Sequence, residues 1–324
     1  MAIFGKTDTM YSSDNYFDSV SPTTEGSEAI LHEATSEIYK LIGAMYVSDI
    51  MIESSVLEGA TDCDILVEGT FKDFVNKIIK KLKALRDKIV AWFKKVIQNI
   101  TIFFMSGEKF VKTYETKILE KVKKIDPESV TWEGYDYAKY GTQILDTITD
   151  NINKYESKIK YDSITAETKT DELIEKSYKE AFNVDGVTEV KELVEKEVRG
   201  GDSKETLKIN ASKVSDMITV CKKQKSIIDK IKEREEKTTK RINAFIADIP
   251  KETDAAIVTN KTKVANSIIT LQQGLNATGV ALVKEQYKVF TSVLKAVMTK
   301  GIVKESYGDD DTGSSLFESA LNTL

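Results

Sequence analysis

Nine cationic side chains crowd into one short stretch of this sequence: Lys72, Lys77, Lys80, Lys81, Lys83, Arg86, Lys88, Lys94 and Lys95. Between Thr70 and Gln98 only Asp73 and Asp87 oppose them, so the stretch carries +7 in a chain whose net charge is −5. Everything outside it sums to about −12. A dense row of cations can neutralise phosphates, anionic headgroups or the carboxylates of an acidic partner. Residues that make and break bonds are scarce by comparison. The single histidine, His32, stands beside Glu33 with no spaced cysteines or carboxylates, a poor start for a zinc site or a catalytic triad. Cys63 and Cys221, the only cysteines, make no disulfide framework. Cys221 falls on an apolar helical face and reads as a small buried residue. No phosphate-cradling glycine loop, dinucleotide turn, nucleophile elbow or H-E-x-x-H motif is present. The Asp-x-Asp pieces at Asp62–Asp64 and Asp309–Asp311 lack the rest of a calcium loop. These residues predict neither an enzyme nor a cofactor or metal site.

The element that must position the cations is a helix. Phe71, Phe74, Val75, Ile78, Ile79, Leu82, Leu85, Ile89, Phe93, Val96, Ile97 and Ile100 recur at gaps of three and four, which draws one apolar stripe along an α-helix. The lysines take the opposite side. Ser106 and Gly107 predict an interruption, with a second helix from Glu108 to Ile125 that stops before Pro127.

Three prolines in 324 residues favour long uninterrupted helices, and the whole chain reads as all-α. Residues 1–26 lack periodicity and predict a disordered arm. Residues 27–69 predict a helix from Ser27 to about Leu57, then a linker with a short extended piece at Ile65–Val67. Residues 70–200 hold the basic helix and a helical middle region. That region includes a Gly- and Tyr-rich connector at Trp132–Tyr140 and helices near 140–161, 171–182 and 187–198. Residues 201–305 predict a long antiparallel, coiled-coil-like helical hairpin. Its first arm repeats every seven residues from Leu207, with the seam broken at Asn210, Gln224, Glu235 and Thr238. Ile249-Pro250 makes the turn, and the second arm runs from about Thr253 to Lys300. Residues 306–324 are an acidic tail.

No N-terminal apolar core marks a secretory signal, and no segment passes as a membrane span. Val264–Val283 has no charge, yet Asn266, Ser267, Thr270, Gln272, Gln273, Asn276 and Thr278 make it too polar for hydrocarbon.

Three roles suit the basic helix. It can be a packed helix with a solvated face. It can lie on an anionic membrane surface, with Trp92 and Phe93 at the interface. It can contact nucleic acid non-specifically, because lysines dominate and base-reading residues are absent. A membrane role has a further echo: a long hairpin beside a basic amphipathic helix loosely resembles the α-helical pore-forming toxins.

Another resemblance covers residues 1–105 best. The arm YSSDNYFDS, the segment AMYVSDIMIESSVLEG, the stretch ILVEGTFKDFVNKIIKKLKALRDKIVAWFKKVI and the proline-poor remainder are similar to helical virion structural and internal head proteins of large tailed phages of low-GC bacteria. Leu66-Val67-Glu68 before Gly69 also resembles the cleavage motif of prohead maturation proteases. The same triplet recurs at Glu33 and Glu318 before small residues, and at Glu120, Glu175, Glu195 and Glu233 before Lys or Arg. The resemblance implies a non-enzymatic virion component that contacts packaged DNA or capsid proteins, with processing at Leu66, Glu68 and Gly69. It would assemble in the host cytoplasm, and the hairpin offers a route to self-association.

Overall fold

The structure, a computed structural model, describes residues 64–125 and 130–306. The expected arm, the first helix with His32, and the acidic tail lie outside the described residues. What is described is a helical bundle, all-α apart from one small sheet.

Helix α1 runs unbroken from Asp64 to Lys124, 61 residues. This corrects the expected linker, because Ile65–Val67 is helical. It also corrects the expected stop at Ser106-Gly107. Gly107 is buried against Tyr287 and Thr291, and a Cβ there would collide with both. The glycine is a point of close approach rather than a break, and it costs the helix only about 1 kcal/mol in propensity. Tyr287 uses the space, donating its hydroxyl to the Phe104 carbonyl at 2.8 Å.

After α1 comes β1 (Thr131–Gly134), then α2 (Thr142–Ile159), α3 (Thr170–Phe182) and α4 (Val187–Arg199). Strand β2 (Glu205–Lys208) pairs antiparallel with β1, Thr131 opposite Lys208 and Gly134 opposite Glu205. The expected connector at Trp132 is therefore partly a strand, and Leu207 belongs to its partner rather than to a heptad seam. Asn210 is no seam residue either. It caps α5 (Ala211–Lys222), its side-chain oxygen accepting from the Lys213 amide at 2.8 Å. Helix α6 (Gln224–Asp248) follows after a break at Lys223, and α7 (Ala255–Ser306) ends the described residues after a 3-10 turn at Ile249–Lys251.

Cross-helix pairs fix the directions. Gln224 meets Tyr287, Thr238 meets Asn276 and Asp248 meets Lys261, so α6 and α7 run antiparallel as expected of the hairpin. Phe104 meets Tyr287 and Lys121 donates to the Met298 carbonyl, so α1 runs parallel to α7. Asp146 and Glu156 meet Lys230 and Arg241, so α2 runs parallel to α6. Helices α1 and α7 thus point one way, and α2 and α6 the other. The hairpin does not stand alone: α1 packs along α5, α6 and α7, and its stripe fills their seam.

Helix α7 is the centre. It touches each of the other six α-helices among the described residues. From Val258 to Val283 it is buried almost all round. That explains the uncharged stretch found in the sequence, since little of this part of the helix meets water. Its polar residues tie neighbours together instead. Ser267 shares a 2.6 Å hydrogen bond with Tyr155, and Gln286 receives the Gly141 amide at 2.9 Å. Among the described residues, no helix is long and apolar enough to cross a membrane.

Candidate polyanion-binding face

The position of α1 decides how its lysines are displayed. Phe74, Ile78, Leu82, Leu85, Ile89, Phe93, Val96 and Ile100 are all buried against the bundle. The stripe therefore anchors the helix, and what lies opposite must face outward. Lys72, Lys77, Lys80, Lys83, Lys88, Lys94 and Lys95 are exposed, while Lys81 and Arg86 are half-buried.

The spacing orders them. Lys72, Lys83 and Lys94 stand eleven residues apart. Eleven residues make three helical turns plus about 20°, so these three form a nearly straight row about 33 Å long. Lys80 lies beside that row, and Lys77 and Lys88 repeat the same interval on its flank. Arg86 is turned inward. Its Nη1 donates to Asn243 Oδ1 of α6 at 3.1 Å, and its Nη2 lies 2.8 Å from Asp87 Oδ1. Arg86 thus belongs partly to the scaffold, and it neutralises one of the two aspartates on the face.

Trp92 and Phe93, expected at a membrane interface, are instead in the core, 3% and 1% exposed. Their rings meet edge to face at 4.9 Å. The reason is their place on the wheel, since positions 92 and 93 continue the stripe from Ile89 to Val96. Phe104 is buried as well, its ring 4.5 Å from that of Tyr287. Among its described side chains, the large apolar residues that α1 exposes are Ile102 and Met105, about two turns past Lys95.

Leu66, Glu68 and Gly69 lie in the first turns of α1 rather than in an open linker. A protease that reads an extended chain would have to unwind those turns first.

Sequence reading missed a second group of cations. Arg234 and Arg241, one heptad apart, flank the seam of α6, and Lys237 and Lys240 sit between them. The four converge on a cleft between α2, α6 and α7. The available signal was the run of polar residues that weakens the seam there. Among the described residues, no three His, Cys, Asp or Glu side chains gather as metal ligands would.

Fold and surface together define an all-α bundle built around one buried helix, with a strongly cationic outer helix. Comparison with protein-family models, with curated proteins and with solved structures gives no match.

Proposed function

We propose that this chain is a non-enzymatic virion component of a large tailed phage, structural or internal to the head, whose α1 face docks on packaged DNA or on an acidic capsid protein. The carrying observation is that the bundle consumes the apolar stripe of α1 and leaves its lysines outward along a rigid rod. Such a face suits a polyanion whose charges repeat along a line. Insertion into a bilayer would instead require Trp92 and Phe93 to leave the core, where removing such a side chain typically costs about 3–5 kcal/mol. That weighs against the membrane reading.

Charge partition favours the same view. Residues 1–68 hold thirteen acidic side chains against two lysines, so cleavage after Glu68 would leave a remainder of net charge +6. A chain acidic during assembly would become cationic beside DNA. Intact mass of the protein taken from its native particle, with a mature N-terminus away from Gly69, would refute the processing step.

Co-sedimentation with duplex DNA and, separately, with anionic liposomes tests the main reading. Binding to DNA that disappears at moderate salt is expected. Salt-resistant binding to liposomes would overturn it in favour of a membrane protein, and binding to neither would point to a helical scaffold with a protein partner.

A further inference from the structure

We infer that the cleft between α2, α6 and the middle of α7 binds a small phosphomonoester that also carries a hydroxyl group. The cleft has a volume of about 360 Å³, within the lower range of small-molecule sites. Arg234, Lys237, Lys240 and Arg241 line it, against one carboxylate, Glu156. With Glu233, which pairs with Lys237, also counted, the surplus is two positive charges, which matches a phosphate dianion better than a monocarboxylate.

The floor is unusual in its hydrogen bonding. Arg234 is 7% exposed. Its Nε donates to Asn276 Oδ1 at 2.7 Å, and its Nη1 to Thr149 Oγ1 at 2.5 Å and to the Leu145 carbonyl at 3.4 Å. Every one of those acceptors is neutral, so this buried guanidinium has no hydrogen-bonded carboxylate among them. Burial pushes its pKa down to about 10, a fall that the nearby carboxylates of Glu233 and Asp146 offset only in part. An oxyanion at the cleft mouth would supply what is missing.

The wall carries the second observation. Glu156 is already engaged, by Arg241 Nη2 at 2.8 Å and by Gln272 Nε2 at 2.7 Å. That leaves Arg241 Nε and Gln272 Oε1 buried without partners. Gln272 is 6% exposed and lines the cleft. One orphan is a charged donor and the other an acceptor. A phosphate oxygen satisfies the first, and a hydroxyl on the same molecule satisfies the second. Lys237, paired with Glu233 at 2.8 Å on its outer side, and Lys240 stand at the rim.

Calorimetric titration of the full chain with AMP, adenosine and inorganic phosphate tests the assignment. AMP should bind, with adenosine and phosphate each weaker by about tenfold or more. The double variant Lys237→Gln, Lys240→Gln alters only exposed rim residues and should keep its melting temperature while weakening AMP about tenfold. Lys80→Glu with Lys83→Glu, on the far α1 face, should leave AMP binding unchanged. No heat or chemical-shift change at millimolar AMP would overturn the site, as would equal AMP affinity in the rim variant. Phosphate binding as tightly as AMP would overturn the hydroxyl contact to Gln272.

Discussion

Replacing Lys80, Lys83 and Lys94 together by glutamine removes most of the straight cationic row without touching the core. If a duplex meets Lys72, Lys80, Lys83 and Lys94, about four phosphates are neutralised. The logarithm of affinity should then fall with the logarithm of salt at a slope of about −3.6, a loss of about 150-fold between about 50 and 200 mM. The triple variant retains Lys72 alone from that set, so its slope should shrink to about −0.9 and its loss to about threefold to fourfold. Glutamine is chosen because it removes charge without adding repulsion.

Fluorescence anisotropy with a labelled duplex over a salt series reads both slopes. All three lysines are exposed, so stability should change by no more than about 0.5 kcal/mol. Ile78→Ala serves as the opposite control. Ile78 is 0% exposed and should cost about 2–5 kcal/mol of stability in urea unfolding. A triple variant that binds DNA with the wild-type salt slope would refute the placement of the binding face on α1.

Three further perturbations probe the fold itself. Gly107→Ala should destabilise by about 1–3 kcal/mol in chemical denaturation, because the added methyl must displace Tyr287 or Thr291 from a packed contact. Lys261→Met should lower stability at neutral pH and flatten its further loss towards acid. Burial pushes the Asp248 carboxyl up, but hydrogen bonding and charge from Lys261 outweigh it and hold the pKa below its usual value. A lowered folded pKa contributes stability that is present above the ordinary carboxylate range and lost as pH falls through the folded value. Without Lys261 the depression is reduced, so the variant should be less stable than wild type at pH 7 but lose less stability as pH falls, read by urea unfolding across about pH 3 to 7. In a Cys63→Ser background, Cys221 should resist thiol reagents until the protein unfolds. It is fully buried, and burial pushes its thiol up to about 12. Rapid native-state labelling would contradict its place in the core.

How much of this was legible in the sequence follows from which forces act locally. The stripe from Phe74 to Ile100 announced both the helix and its buried face, since a period of three and four is a property of the residues alone. The antiparallel course of α6 and α7 was equally legible from Ile249-Pro250. Glycine was misread at position 107 because its propensity is local, while its reason, the Tyr287 hydroxyl, lies on a helix 180 residues away. Trp92 and Phe93 were misread because aromatic rings beside lysines suit a membrane interface as well as a core. Strand pairing of Thr131–Gly134 with Glu205–Lys208 is too short and too distant for any periodic signal. The cleft was invisible because its cations come from one helix, its carboxylate from a second and its orphaned acceptor from a third.

The polar residues buried between α6 and α7 have a consequence for specificity. A heptad seam of aliphatic side chains tolerates slippage by seven residues, because each apolar contact is replaced by a similar one. Here Gln224, Thr238 and Lys261 are buried, and each meets one partner across the hairpin: Tyr287, Asn276 and Asp248. A slip of one heptad would separate all three pairs at once. Each would lose a buried polar contact, at up to about 1–3 kcal/mol where the group is left unsatisfied. Even part of that total is a sizeable fraction of the stability of an ordinary domain, roughly 5–15 kcal/mol. The interruptions that make the seam look imperfect in the sequence therefore select a single register. The same register sets Arg234 and Arg241 opposite Gln272 and so assembles the cleft.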